Sequence, residues 1–214
     1  MNTKTVTIGR HRIGDGGPCL IIAEAGVNHN GNIKTALELV DVAVEAGADI
    51  VKFQTFKAEN VATAQTPKAE YSKSTTDVAE SHFEMMRKLE LPREMHEELI
   101  PYCEERGIIF LSSPFDEESA DLLSSMGVEA YKIPSGEITN LPFLTHVARK
   151  GKPMIVSSGM SYLGEVEAAV ETIGQFVLGR YWRKATEAER REYLKLFEDL
   201  IVETYVDRFT KYTG

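Results

Sequence analysis

The sequence predicts an α/β fold built on a parallel sheet, because short apolar strands alternate with helical patterns along most of the chain. Turns that contain glycine precede the strands, as helix C-caps require. The five predicted strands span residues 20–24, 49–53, 107–111, 130–133 and 153–157. The predicted helices span residues 33–46, 92–105, 117–125 and 141–149, with another that begins at Leu163.

The composition is that of an ordinary folded protein, with 214 residues, 43% hydrophobic and 27% charged. The apolar runs are far shorter than the ~20 residues that span a bilayer, and the N-terminus lacks an apolar signal core. We therefore expect a cytoplasmic protein without a membrane span. A net charge of -9 argues against a nucleic-acid-binding surface. The expected partners are small molecules or proteins.

The two cysteines, Cys19 and Cys103, lie outside any CxxC spacing or histidine cluster. A disulfide framework or a zinc site therefore has no support in the sequence, and no metal ligands are assigned. Both side chains are predicted to be buried thiols.

The C-terminal segment has a different composition from the rest of the chain. All 8 prolines precede Gly174, and we predict a boundary there that separates residues 1–173 from residues 174–214. Thr186 and Glu189 fit a capping box at a helix start. Apolar residues follow at helical spacing and predict one long amphipathic helix; they are Tyr193, Phe197, Leu200, Ile201, Tyr205, Phe209 and Tyr212.

Polar side chains converge at one end of the predicted sheet. Alternate residues of a strand share a face, and in barrel-like parallel folds the inward residues at the carboxyl ends carry the chemistry. The residues placed there are Glu24, Lys52, Gln54, Lys132 and Ser157. Two interior lysines favour an anionic ligand such as a phosphate or carboxylate. The alternative is a structural ion pair with Glu24 or Glu137.

Two turns after the last predicted strands, PSGEITN and SSGM, supply hydroxyl groups and backbone N–H groups. Such turns before helices bind anions, although many only cap the helix. After the first strand, Asn28-His29-Asn30-Gly31 predicts a turn with Gly31 at positive φ. His29 is either part of that turn or faces a ligand.

Several long motifs in order resemble the N-acetylneuraminate (sialic acid) synthase family, which includes legionaminic and pseudaminic acid synthases. The motifs are EAGVNHNG, KFQTFKAE, PKAEYSK, PREMHEEL, FLSSPFDEES, YKIPSGEITN and IVSSGM, within residues 18–173. The resemblance implies a TIM-type (β/α)₈ barrel followed by an antifreeze-like domain. It also implies condensation of phosphoenolpyruvate with an N-acyl-mannosamine-type sugar, release of phosphate, and a divalent metal, usually manganese.

The resemblance also implies roles for particular residues. Phosphoenolpyruvate would be held by Lys52, Lys132, Ser135 and Ser157. The sugar would contact Glu24 and Gln54, while Glu137 would manage a proton or the attacking water.

The resemblance ends near Ile173, before the family's last three strands, its metal-binding histidines and its antifreeze-like domain. We therefore expect a truncated, chimeric chain: an incomplete (β/α) barrel with about five parallel strands, followed by a C-terminal amphipathic helical segment. Residues 174–214 resemble a fragment of the periplasmic phospholipid-carrier (toluene-tolerance) family, or form an amphipathic helix that caps the sheet.

The leading hypothesis for function is a synthase-derived enzyme domain that keeps the phosphoenolpyruvate half of the site and lacks the manganese ligands. The alternative is a noncatalytic anion-binding or assembly module whose helical tail docks to protein or lipid.

We expect this chain to form a homo-oligomer, because five strands of eight cannot close a barrel and would leave two open strand edges. Size-exclusion chromatography with light scattering should give a dimer or a larger species. The same measurement after removal of residues 175–214 tests the contribution of the tail. A monodisperse monomer in both cases would contradict the expectation.

Overall fold

The structure is a computed structural model of the chain. It describes residues 5–14, 17–63, 65–67, 80–177, 182, 184–193 and 195. The chain divides into two compact units. The first comprises Met1–Pro134 and Lys152–Ser157, and the second comprises Ser135–Gly151 and Ser158–Gly214.

The first unit holds all the described strands and most of the helices. Its strands are β1 (Thr5–Ile8), β2 (His11–Gly14), β3 (Ile22–Gly26), β4 (Ile50–Thr55), β5 (Ile109–Pro114), β6 (Tyr131–Ile133) and β7 (Met154–Val156). Its helices are α1 (Ile33–Glu45), α2 (Ala58–Val61), α3 (His82–Lys88), α4 (Arg93–Glu105) and α5 (Glu117–Ser125). The second unit contains a short 3₁₀ helix (Ser135–Glu137), α6 (Leu141–Ala148) and α7 (Leu163–Val177).

The parallel α/β prediction is confirmed. Strands β3, β4 and β5 form a parallel sheet in that order, β6 and β7 form a second parallel pair, and β5 contacts β6. Strands β3 and β5 begin two residues later than predicted, at Ile22 and Ile109, which both pair with Ile50 of β4 in the parallel register. Apolar residues flank both strands, so hydrophobicity alone does not mark where pairing starts.

An antiparallel hairpin of β1 and β2 precedes the parallel strands and was not predicted. Its turn begins at Gly9, which has a φ of +54°, and the Arg10 guanidinium donates to the carbonyl of Gly107 beyond α4. Ile8 of the hairpin is buried in a core cluster with Ile50, Leu111 and Ala130. The hairpin therefore contributes to the same hydrophobic core as the parallel strands.

The helices cover the strands with one apolar face. In α1, Asn32 caps the N-terminus by accepting from the backbone N–H groups of Lys34 and Thr35. The buried positions Ala36, Val40 and Ala43 are spaced at helical intervals, so a single face points inward.

Only one of the two cysteines is a buried thiol. Cys103 of α4 is fully buried, and burial raises the pKa of its thiol to about 12. Cys19 is exposed, so the prediction for Cys19 is wrong. Cys19 lies just before β3, where the chain has not yet entered the sheet.

The predicted boundary at Gly174 falls within a continuous helix, because α7 runs from Leu163 to Val177. A side-chain carbon placed on Gly174 would lie 3.5 Å from Trp182 and 3.6 Å from Tyr193, so these rings pack close to the helix backbone. The boundary as a change of sequence origin stays a prediction.

The capping box at the start of the tail helix is confirmed. The Thr186 hydroxyl accepts from the Glu189 N–H, and the Glu189 carboxylate accepts from the Thr186 N–H at 2.7 Å. The rest of the predicted amphipathic helix, from Phe197 to Tyr212, lies outside the described residues. Among the described helices, none is long and apolar enough to cross a membrane.

We predict that Ile8→Ala destabilises the protein by about 2–5 kcal/mol, because Ile8 is only 2% exposed and its removal leaves a cavity in the core. Val6→Ala is the matched control on the same strand. Val6 is 52% exposed, so its truncation should change stability by less than about 0.5 kcal/mol. Urea unfolding followed by circular dichroism measures both. Equal losses would show that the hairpin is not part of the core.

Candidate functional site

The parallel register of β3 and β4 places two charged residues side by side. Glu24 pairs with Lys52 in the register, and their side chains form an ion pair. The Lys52 side chain is 12% exposed and that of Glu24 is 55% exposed. The ion-pair alternative considered from the sequence therefore holds for Lys52.

Lys132 lies on β6 and makes a different contact. Its Nζ donates to the backbone carbonyl of Ile133 at 2.6 Å, and the same carbonyl accepts from the N–H of Ser157 at 3.1 Å. Among the described residues, no carboxylate lies within ion-pair distance of this amine. The ion-pair alternative does not account for Lys132.

The electrostatics of Lys132 follow from its lack of a carboxylate partner among the described residues. Burial and, to a lesser extent, the positive charge of Lys52 lower the pKa of Lys132, while Glu24 opposes the shift, and the net pKa is about 8. Glu24 is already paired with Lys52, so two amines share one carboxylate. An added anion would satisfy the second amine.

Gln54 of β4 lies close to Glu24. Gly26, at the end of β3, has a φ of +55°, and a side-chain carbon there would lie 3.4 Å from Glu24 Oε1 and 3.9 Å from Gln54 Nε2. The predicted residues Glu24 and Gln54 therefore both lie next to the backbone of Gly26.

Two predicted site residues, Ser135 and Glu137, belong to the second unit. The Asn140 amide donates to the Glu137 carboxylate at 2.8 Å, which fixes that carboxylate at the start of α6. A side-chain carbon on Gly159 would lie 3.6 Å from the Ser135 hydroxyl. Their participation in one site with the residues of the first unit stays a prediction.

A buried hydrogen-bond chain behind β4 and β5 was not predicted. His96 Nδ1 lies 2.9 Å from the Pro92 carbonyl, which can only accept, so Nδ1 carries the proton. Burial lowers the pKa of His96 and keeps the ring neutral, so its Nε2 accepts from the Thr55 hydroxyl. Thr55 in turn accepts from Ser112 at 2.7 Å. The sequence signal for these hydrogen bonds was the pair of serines in FLSSPFD, and this pair directly follows the predicted strand 107–111.

This hydrogen-bond chain bears on the candidate site through the strands. Thr55 follows Gln54 directly, and Gln54 pairs in the register with Ser113, the residue after Ser112. These hydrogen bonds therefore join the carboxyl ends of β4 and β5, and Gln54 lies at the carboxyl end of β4.

The turn after β3 is confirmed. Gly31 has a φ of +72°, and a side chain there would clash with the carbonyl of Lys88 at 2.6 Å. His29 is fully buried, and its Nδ1 accepts from the Gly31 N–H at 3.0 Å. Within the described residues, its Nε2 has no hydrogen-bond partner. A ligand-facing role for His29 stays a prediction.

The manganese implied by the resemblance does not fit the residues in hand. In the part of the chain that the structure describes, no group of three or more His, Cys, Asp or Glu side chains could hold a metal ion.

The geometry can be compared with known proteins. The model of the NeuB family matches residues 39–196. The chain belongs to the NeuB family. This match continues beyond residue 173, and the resemblance of residues 174–214 to phospholipid carriers is not shown.

Two of the curated relatives are legionaminic acid synthases. The chain is 51% identical over 154 residues to N,N'-diacetyllegionaminic acid synthase of Campylobacter jejuni, which covers 72% of the chain and 46% of that relative. It is also 51% identical over 155 residues to N,N'-diacetyllegionaminic acid synthase of Legionella pneumophila, covering 72% of the chain and 44% of the relative. The chain therefore spans about half the length of these curated relatives.

A solved structure supports the fold of this NeuB chain. The N-acetylneuraminic acid (sialic acid) synthetase of Leptospira borgpetersenii, in complex with citrate, matches with a TM-score of 0.68 at 29% identity. The match covers 81% of the chain and 56% of that structure. The strand ends described above thus belong to a fold shared with sialic acid synthases.

We predict that the protein loses stability as the pH falls below about 6.5. Burial lowers the pKa values of both His29 and His96 below 6.5 in the folded state. The unfolded chain therefore binds more protons than the folded chain in that range. The contribution of the two neutral histidines to the free energy of unfolding is complete above pH 6.5, and it is lost as the pH falls through their folded-state pKa values. The slope is at most ~1.4 kcal/mol per pH unit for each histidine.

Urea unfolding at pH 7.5 and at pH 5.5 measures the effect. His96→Gln removes one of the two titrating rings and should reduce the difference between the two pH values. An unchanged difference in this variant would mean that His96 does not stay neutral in the folded protein.

Proposed function

We propose that this chain provides the phosphoenolpyruvate-binding part of a nonulosonic (sialic) acid synthase. The reaction would condense phosphoenolpyruvate with an N-acyl-mannosamine-type sugar and release phosphate. The observation that carries the proposal is the half-buried Lys132 amine, which lacks a carboxylate partner among the described residues and lies near Lys52. A phosphate or carboxylate group supplies the missing negative charge.

The roles proposed for the residues of the first unit follow their positions. Lys132 and Lys52 provide positive charge for the anion. Ser157 lies close to Lys132, because the Ser157 N–H and Lys132 Nζ both donate to the Ile133 carbonyl. Glu24 and Gln54, which both lie next to Gly26, are proposed to contact the sugar. Anion binding would also stabilise the protonated form of Lys132, so binding should take up protons near pH 8.

The proposed roles of Ser135 and Glu137 rest on the family resemblance. Ser135 would add a hydroxyl donor to the phosphoenolpyruvate, and Glu137 would handle a proton or the attacking water. The hydrogen bond from Asn140 to Glu137 would hold that carboxylate in one orientation.

The proposed enzyme needs more than the phosphoenolpyruvate-binding part. We propose that the chain forms about five units of a TIM-type (β/α)₈ barrel, and that the manganese expected for the family would be bound by residues outside the described ones. In the family the metal activates the sugar aldehyde. No observation on the described residues favours the alternative of a noncatalytic module whose tail docks to protein or lipid.

We predict that isothermal titration calorimetry detects weak phosphoenolpyruvate binding that decreases as salt is added. Lys132→Ala should weaken binding on the order of tenfold or more, because a hydrogen bond to a charged group is lost. Lys34→Ala is the control, since Lys34 is exposed on α1. A folded protein without measurable binding, or an equal loss in both variants, would contradict the proposal.

We further predict that the purified chain makes no nonulosonic acid at a family-like rate, even with manganese present. Among the described residues no group of side chains could hold the metal that the family uses, and the loss of such a metal would remove several kcal/mol of transition-state stabilisation. Phosphate release and product formation from phosphoenolpyruvate and N-acetylmannosamine are the measurements. Metal-dependent turnover at normal enzyme rates would show that this chain completes the site by itself.

A further inference from the structure

We infer that Lys132 is a nucleophilic amine that forms an imine with aldehydes or ketones that carry a phosphate or carboxylate group. This inference concerns covalent chemistry at one side chain. It needs only the charged residues of the first unit, and it does not depend on the synthase reaction.

The first support is the hydrogen bonding of the amine. Lys132 Nζ donates to a neutral acceptor, the Ile133 carbonyl at 2.6 Å, and lies on a half-buried strand position. Lys52, in contrast, has the Glu24 carboxylate as a direct partner. Lys52 therefore has an ionic partner, whereas the partner of Lys132 is an uncharged carbonyl.

The second support is the set of charges around the amine. The charged groups that act on Lys132 are Lys52 of β4 and Glu24 of β3. The strands next to β6 add no charge at this level, because β7 contributes Ile155 opposite Lys132 and β5 contributes Leu111 opposite Lys52. A second cation close to a partly desolvated lysine is one known way of activating an amine nucleophile.

The third support is the fraction of neutral amine. Burial, followed by the charge of Lys52, lowers the pKa of Lys132 from 10.5 to about 8. At pH 7 about a tenth of such a side chain is uncharged, which is roughly 300-fold more than for a lysine with a pKa of 10.5. The amine is therefore available as a nucleophile at neutral pH.

The chemistry is ordinary imine formation. The Nζ lone pair attacks the carbonyl carbon and forms a C–N bond, and a proton moves from nitrogen to oxygen to give a carbinolamine. The C–O bond then breaks with loss of water, leaving a C=N bond to Lys132. No oxidant or reductant is needed, and hydrolysis reverses the step.

The anionic group defines the class of ligand. Lys52 forms an ion pair with Glu24, and a phosphate or carboxylate on the carbonyl compound would interact with the Lys52 ammonium before the covalent step. An uncharged carbonyl compound of the same shape lacks this attraction. The structure therefore predicts a preference for the charged compound.

The experiment uses pyridoxal 5'-phosphate as the probe and pyridoxal, which lacks the phosphate, as its matched control. The full chain is incubated with each compound and sodium cyanoborohydride, and the reduced adducts are located by peptide mass spectrometry. Lys132 should be labelled at least tenfold faster by pyridoxal 5'-phosphate than by pyridoxal. It should also be labelled at least tenfold faster than the exposed Lys34 in the same sample.

Two variants should shift the pH midpoint of Lys132 labelling in opposite directions. Lys52→Met removes the neighbouring cation and frees Glu24, so labelling of Lys132 at pH 7 should fall on the order of tenfold and its pH midpoint should rise above 8. Glu24→Gln removes the charge that favours the protonated amine, so the midpoint should fall. Lys132→Arg keeps the positive charge and should abolish the adduct, while Lys34→Arg should leave it unchanged.

Circular dichroism verifies that each variant is folded. Labelling of Lys132 no faster than Lys34, or equal labelling by the two compounds, would overturn the inference. An unchanged pH midpoint in both Lys52→Met and Glu24→Gln would also overturn it, because the two charges would then not control the amine.

The outcome is separable from that of the proposed function. Selective labelling of Lys132 without calorimetric phosphoenolpyruvate binding would support the imine and contradict the synthase half-site. Phosphoenolpyruvate binding without selective labelling would do the reverse.

Discussion

The ion pair between Glu24 and Lys52 determines the electrostatics of the strand ends in this protein. It arises because the parallel register of β3 and β4 places these two residues at the same level. The pair uses the negative charge of Glu24, and among the residues that the structure describes the half-buried amine of Lys132 has only the Ile133 carbonyl as its hydrogen-bond partner. Both the proposed affinity for an anion and the inferred reactivity of the amine rest on this lack of a carboxylate partner for Lys132.

The rest of the first unit holds these charges in place. Ile8 of the hairpin and Ile50 at the start of β4 belong to one buried cluster, while Lys52 lies two residues further along the same strand. Behind the carboxyl end of β4, the neutral ring of His96 joins Thr55 to Ser112 of β5. An apolar core at one end and a buried hydrogen-bond chain at the other therefore restrict how far the charged side chains can move.

Membership of the NeuB family fits a chain of this kind, although the chain spans about half the length of the curated relatives. The matched part contains the strands that carry the lysines. Within the described residues, no cluster is suited to a metal ion. The proposed anion binding can therefore be tested in this chain without a metal.

The sequence by itself determined the parallel α/β architecture and the residues at the strand ends. Apolar runs and the two-residue period of a strand are local properties, and they were sufficient to predict that Glu24, Lys52 and Lys132 lie at the carboxyl ends of parallel strands. The turn at Gly31 was also predictable, because a positive φ favours glycine.

Only the tertiary structure decided how these residues are partnered. Whether Lys52 or Lys132 takes the Glu24 carboxylate depends on the register between strands that are distant in the sequence. The hydrogen bond between Thr55 and His96 joins residues 41 positions apart, and the place of Ile8 in the core depends on contacts with strands further along the chain. Local patterns predict which residues face a site, whereas contacts between distant segments determine their charge and protonation.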